Sequence, residues 1–191
     1  NTWLEELTTA IVPYFDADEN TLPRYEWYHG GVAFCIKNKI MKGDENKFFN
    51  PSQNITWAEF LQILYNMEEA KPNIEVEEGS PWYEAAVKWA SDNNLLQEIY
   101  EVDTSFTPDS AINREDLSLV LYMYAKFKGY DVSVGEETNI LSYDDAFDID
   151  EYAIPAIQFV VGSGIINGKT VSTVNPKDNA TRAEIAVIIQ R

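Results

Sequence analysis

The hexapeptide Asn179-Ala-Thr-Arg-Ala-Glu184 has two counterparts upstream, Asn54-Ile-Thr-Trp-Ala-Glu59 and the looser Ala111-Ile-Asn-Arg-Glu-Asp116. A chain of 191 residues that returns three times to one motif is a repeat array. Each unit is too small to bury an adequate core by itself, so stability has to come from packing the copies against one another.

The registers of the copies agree well beyond the motif. Each opens on an aromatic, Trp27, Trp82 or Tyr152, followed by Val32, Val87 or Ile157 and then Phe34, Trp89 or Phe159. The apolar pairs Ile40-Met41, Leu95-Leu96 and Ile165-Ile166 close these stretches, which predicts a first helix over 27–41, 82–96 and 152–166. Gly43 and Gly168, just beyond the pair in two copies, are expected to end the helix by a left-handed cap. A loop with Pro51, Pro108 or Pro176 leads to Thr56, Asn113 or Thr181, where a second helix begins. Its apolar positions are spaced for a helix: Phe60, Ile63, Leu64 and Met67; Leu117, Val120, Leu121 and Tyr124; Ile185, Ile188 and Ile189. The expected fold class is all-α, built from helix-loop-helix repeats at 13–71, 72–135 (the divergent one) and 136–191. Residues 1–12, with a helical stripe of Trp3, Leu4, Leu7, Ala10 and Ile11, precede them.

Thr56-x-x-Glu59 and Thr181-x-x-Glu184 have the form of capping boxes, and Asn113-x-x-Asp116 is a weaker version with a shorter acid. Capping accounts for the threonine and glutamate. It does not account for Arg114 and Arg182, cations at a point where the helix dipole disfavours positive charge. An arginine beside free amides at a helix start makes an anion site whose planar fork suits a carboxylate or phosphate. The alternative is a salt bridge to a nearby acid, of which the chain has many.

A net charge of −18 repels nucleic acid and anionic lipid surfaces. One cysteine and one histidine leave no zinc set, disulfide or Cys-His nucleophile pair, and Cys35 reads as a small core residue. No apolar run reaches the roughly 20 residues of a membrane span. Asp16-Ala-Asp-Glu-Asn20 begins like a calcium loop, but Thr21 and Trp27 stand where glycine and glutamate are required, so no metal site is expected. No motif selects a catalytic acid pair, and neither an enzyme activity nor a cofactor is expected.

Taken whole, the third copy resembles an S-layer homology domain through Tyr143-Asp-Asp-Ala, Tyr152-Ala-Ile-Pro-Ala-Ile, Gly164-Ile-Ile-Asn-Gly168-Lys, Asn175-Pro and Thr181-Arg-Ala-Glu-Ile185. The first copy is similar through Tyr14-x-Asp16-Ala17, Trp27, Gly43, Asn50-Pro51 and Ile55-Thr56. The second keeps Trp82-Tyr83, Phe106-x-Pro108 and Ile112-x-Arg114. The resemblance implies three tandem domains interlocked as a pseudo-threefold bundle, with the motif arginines facing grooves between neighbours. It further implies a secreted, non-catalytic module that holds proteins at a bacterial cell surface by binding anionic secondary cell-wall polysaccharide, often bearing pyruvate ketals. The candidate ligand-binding residues are Arg182 and Arg114, then Trp57, Trp82, Trp27, Tyr152, Lys169, Gly168, Asp145 and Asp16.

Copy one departs from the pattern at Trp57, where the basic residue belongs. Its indole either stacks on a sugar or folds into the core between copies. A different reading of the chain is a protein-interaction module that keeps the fold without polysaccharide binding and partners other surface proteins.

Overall fold

The computed structural model describes residues 27–68, 72–102 and 106–191. The expected helix within 1–12 and the acidic stretch with Asp16 lie outside the described residues. Copy one supplies α1 (His29–Lys37) and α2 (Trp57–Met67), and copy two supplies α3 (Glu84–Asp92), α4 (Gln97–Val102) and α5 (Arg114–Phe127). A short α6 (Val134–Glu137) leads into copy three, where two 3-10 turns precede α7 (Ile154–Gly162) and the last helix is α8 (Arg182–Gln190). Among the described residues there is no strand beyond three isolated bridges, and the all-α expectation holds.

The second helix of each copy starts where the sequence places it. Thr56 and Thr181 form complete capping boxes with Glu59 and Glu184, whereas Asn113 only accepts the amide of Asp116. The first helices stop earlier than expected, at Lys37, Asp92 and Gly162. Their left-handed residue is not Gly43 or Gly168 but the one before the apolar pair: Lys39 (φ 58°), Asn94 (φ 60°) and Gly164 (φ 73°). In copies one and two the closing bonds are those of a Schellman turn, Ile40 N–H to Cys35 O and Leu95 N–H to Ala90 O, both 2.9 Å. Gly168 is required for space instead, because a Cβ there would lie 2.5 Å from the carbonyl oxygens of Thr170 and Thr173.

The residues just before the second helices meet at a common centre. Ile55 N–H donates to Ala180 O (2.9 Å), Ala180 N–H to Ile112 O (3.0 Å) and Ile112 N–H to Ile55 O (3.1 Å). Three copies therefore close a cyclic triangle of hydrogen bonds around an approximate threefold axis. Ile55, Ile112 and Ala180 are fully buried there.

A second tier repeats the rotation. The first two amides of α2 donate to Ser110 O and Pro108 O of copy two, those of α5 to Asp178 O and Pro176 O of copy three, and those of α8 to Gln53 O and Pro51 O of copy one, all at 2.8–3.0 Å. Helix-start amides lack intrahelical acceptors, and here the loop of the following copy provides them. The carbonyl of the proline that recurs five residues before each cap is in every case one of these acceptors.

Helix packing follows the same order: α3 packs on α2, α7 on α5, and α1 on α8. The last contact joins the first copy to the third and closes the ring. It is a backbone contact, because a Cβ on Gly31 would come within 2.7 Å of the Ala186 carbonyl and the Val187 nitrogen. One core of residues from all three copies fills the centre, with a smaller cluster of Ile140, Ile149, Ala153, Ile157 and Val174 inside copy three. Cys35 belongs to the main core, and burial pushes its thiol up to about 12. No helix among the described residues is long and apolar enough to cross a membrane.

Candidate functional site

The two motif arginines are bound in the same way. Arg114 Nε donates to Val174 O (2.9 Å), Nη2 to Asn167 O (3.1 Å), and Nη1 pairs with Glu184 Oε1 (3.1 Å). Arg182 Nε donates to Phe49 O (2.9 Å), Nη2 to Lys42 O (2.7 Å), and Nη1 pairs with Glu59 Oε1 (2.8 Å). Each arginine reaches into the loop of the next copy and ends on that copy's capping glutamate. Both residues are buried, with 3% and 8% of their surface exposed.

Two parts of the sequence expectation are corrected by this arrangement. The amides beside the arginines are not free, because the neighbouring loop already occupies them. The arginine's charge is already met by an acid, the alternative left open above. Burial works to lower the Arg114 pKa, while Glu184, Asp178 and Asp145 oppose it.

Arg114 nonetheless borders a groove of about 490 Å³ to which all three copies contribute. Copy one supplies Trp27, copy two supplies Arg114, and copy three supplies the Ile166–Lys169 turn together with Glu184, Val187, Ile188 and Arg191. Four of the sequence-predicted residues, Trp27, Arg114, Gly168 and Lys169, are thus brought together. Trp27 is 62% exposed and stands edge-on to Tyr28. An exposed indole beside cations is a surface on which a sugar ring can stack while an acidic substituent is held.

Asp145 supports this groove from behind, since its carboxylate accepts the amides of Val174 (2.9 Å) and Asn175 (2.7 Å) in the loop that Arg114 grips. At the symmetry-related position, Arg182 takes the part of Arg114. Trp82 opens copy two as Trp27 opens copy one, and it is equally exposed and edge-on to Tyr83.

The third groove differs in kind. Trp57 lies where an arginine should be and is only 5% exposed, packed edge-on against Phe106 at 5.1 Å. It is a core residue, which corrects its expected place in a binding surface. The groove beside it, about 810 Å³, is lined by Ile99, Asn113, Tyr152, Lys177 and the acids Glu115, Asp116, Asp150 and Glu151. Tyr152 donates its hydroxyl to Asp116 (2.7 Å), and burial together with this bond pushes the phenol pKa up. Glu115, at the motif's alanine position, is buried and paired with Lys177, which also reaches Asp150 at 2.7 Å.

Sequence reasoning missed Arg191 and the acids of the Tyr152 groove. Arg191, the residue that caps the end of α8, was within reach of helical spacing, because it follows Glu184 by seven residues, two helical turns. The pairing of Glu115 with Lys177 joins different copies and leaves no local signal.

The family model for the S-layer homology domain matches residues 23–61 and 142–186, in copies one and three. A surface-layer 125 kDa protein of Lysinibacillus sphaericus is 25% identical over 97% of this chain and 16% of its own length. The exoglucanase XynX of Acetivibrio thermocellus is 28% identical over 85% of the chain and 15% of its own length. For the cellulosome-anchoring protein of the same organism the figures are 27%, 80% and 35%. The chain thus spans about a third or less of the length of each of these relatives.

Proposed function

This chain carries S-layer homology domains, and we propose that it is a non-catalytic module that anchors proteins at a bacterial cell surface by binding anionic secondary cell-wall polysaccharide. The observation that carries this reading is the groove joining Trp27, Arg114, Gly168 and Lys169. It combines an exposed aromatic with a concentration of cations in a protein of net charge −18. Cations gathered on one groove wall favour an acidic ligand more than the rest of this acidic surface does.

In this reading Arg114 and Arg182 shape their grooves by fixing the loops of the next copy, and Trp27, Lys169 and, in the related groove, Trp82 face the ligand. The Tyr152 groove takes no part in anion binding. The names of a surface-layer protein and a cellulosome-anchoring protein among the relatives support the same placement. The activity named for the exoglucanase is not carried over, because only 15% of that protein aligns.

The test is sedimentation of the purified chain with cell-wall sacculi and with sacculi from which the secondary polysaccharide has been extracted. Binding only to the former, reduced in Trp27→Ala and Lys169→Ala without a change in melting temperature, is the expected outcome. Equal binding to both preparations sinks the proposal. The rival reading, an assembly module without glycan binding, draws support from the filled position at Trp57. It requires that the chain ignore walls and bind another surface protein.

A further inference from the structure

We infer that Arg191 is the residue that meets the anionic group of the glycan in the Trp27 groove, an inference that rests on the wall-binding reading above. Three cations line that groove, and their partners differ. Arg114 is paired with Glu184 at 3.1 Å and is almost wholly buried. Lys169 is paired with Asp178 at 2.7 Å. Arg191 is exposed and, among the described residues, holds only neutral oxygens: its Nη1 donates to the carbonyls of Gly164 (3.3 Å) and Ile165 (3.1 Å). The side-chain amide of Asn167, oriented with its oxygen toward the guanidinium, accepts from Nη1 and Nη2 at 3.2 and 3.1 Å.

These partners orient the guanidinium without neutralising it. Of the three groove cations it is the one whose charge no carboxylate of the described residues balances, so a ligand anion gains most there. Its planar fork suits a carboxylate or phosphate held by two parallel bonds.

The position also separates this groove from its relatives. At the end of α2 the matching residue is Asn66, whose Nδ2 donates to Ile40 O at 3.2 Å much as Arg191 donates to Ile165 O. In α5 it is Met123. The orienting contact is thus kept in copy one without the charge, and copy two keeps neither. The strongest anion site should be single, in a ring built from three copies.

Equilibrium binding of the full chain to polysaccharide released from purified walls, followed from about 0.05 to 0.5 M salt, tests this. Arg191→Gln should bind about tenfold more weakly than wild type at low salt and converge on it as salt rises. Arg191→Lys should lose part of the affinity yet keep the salt dependence, since it retains the charge and not the fork. Melting temperatures of all three should agree. Unchanged affinity of Arg191→Gln at low salt, or a loss of the same size at every salt concentration, overturns the inference while leaving wall binding intact. A wild-type chain that does not bind overturns both.

Discussion

Glu59 and Glu184 each serve two neighbours with two oxygens. Oε2 accepts the amide of the capping threonine, and Oε1 takes the arginine of the preceding copy in the ring. The threonine, arginine and glutamate of the motif are therefore one device in which a helix cap of one copy receives the cation of another. Copy two carries the shorter Asp116, which faces no arginine because Trp57 stands in its place, and takes the Tyr152 hydroxyl instead. Burial raises the Asp116 pKa above its ordinary 3.8, against the lowering effect of that hydrogen bond. A carboxyl with a raised folded-state pKa binds its proton more tightly when folded. Its contribution to stability is complete below 3.8 and is lost as pH rises through the folded value. Asp116→Asn, neutral at every pH, should therefore exceed wild type in stability at neutral pH and match it at about pH 3. Urea midpoints at the two pH values check this, and an equal difference at both would contradict the assignment.

Helix starts and helix ends were not equally readable. The starts of α2, α5 and α8 depend on side chains within four residues of each other, so Thr56, Asn113 and Thr181 announce them. The ends of α1 and α3 depend on a backbone conformation that glycine normally marks, and here Lys39 and Asn94 adopt it instead. With no glycine to read, the helical pattern runs on to the apolar pair, four residues too far. Lysine tolerates the left-handed region less well than asparagine. Lys39→Gly is accordingly expected to stabilise the protein by about 0.5–1 kcal/mol, and Asn94→Gly by less. Thermal denaturation of the two variants beside wild type measures the difference. The site was legible in the same uneven way. Trp27, Gly168 and Lys169 could be named from the repeat and its family pattern, but the direction of Arg114 is set by carbonyls of another copy, which no local spacing reveals.

At the scale of the molecule, the ring makes the copies interdependent. Removing copy three deprives Ile55 N–H of its acceptor and Ile112 O of its donor, and strips α5 of the carbonyls that satisfy its first two amides. It also exposes the face of α1 that packs on α8. Buried polar groups left unpaired cost about 1–3 kcal/mol each, and several would be lost together. A fragment of residues 1–135 should accordingly show no cooperative melting transition and poor dispersion of its amide NMR signals, while the full chain melts in one step. A fragment that melts cooperatively would show that two copies suffice.

The triangle of Ile55, Ile112 and Ala180 also imposes an order in time. Of its three bonds, the two that involve Ala180 join the last copy to partners far earlier in the chain. Contacts of such long sequence separation form only after the entropy of a large loop has been overcome. A polypeptide emerging from its N-terminus cannot complete this centre while copy three is still being made. Closure of this centre is thereby deferred until copy three has been made.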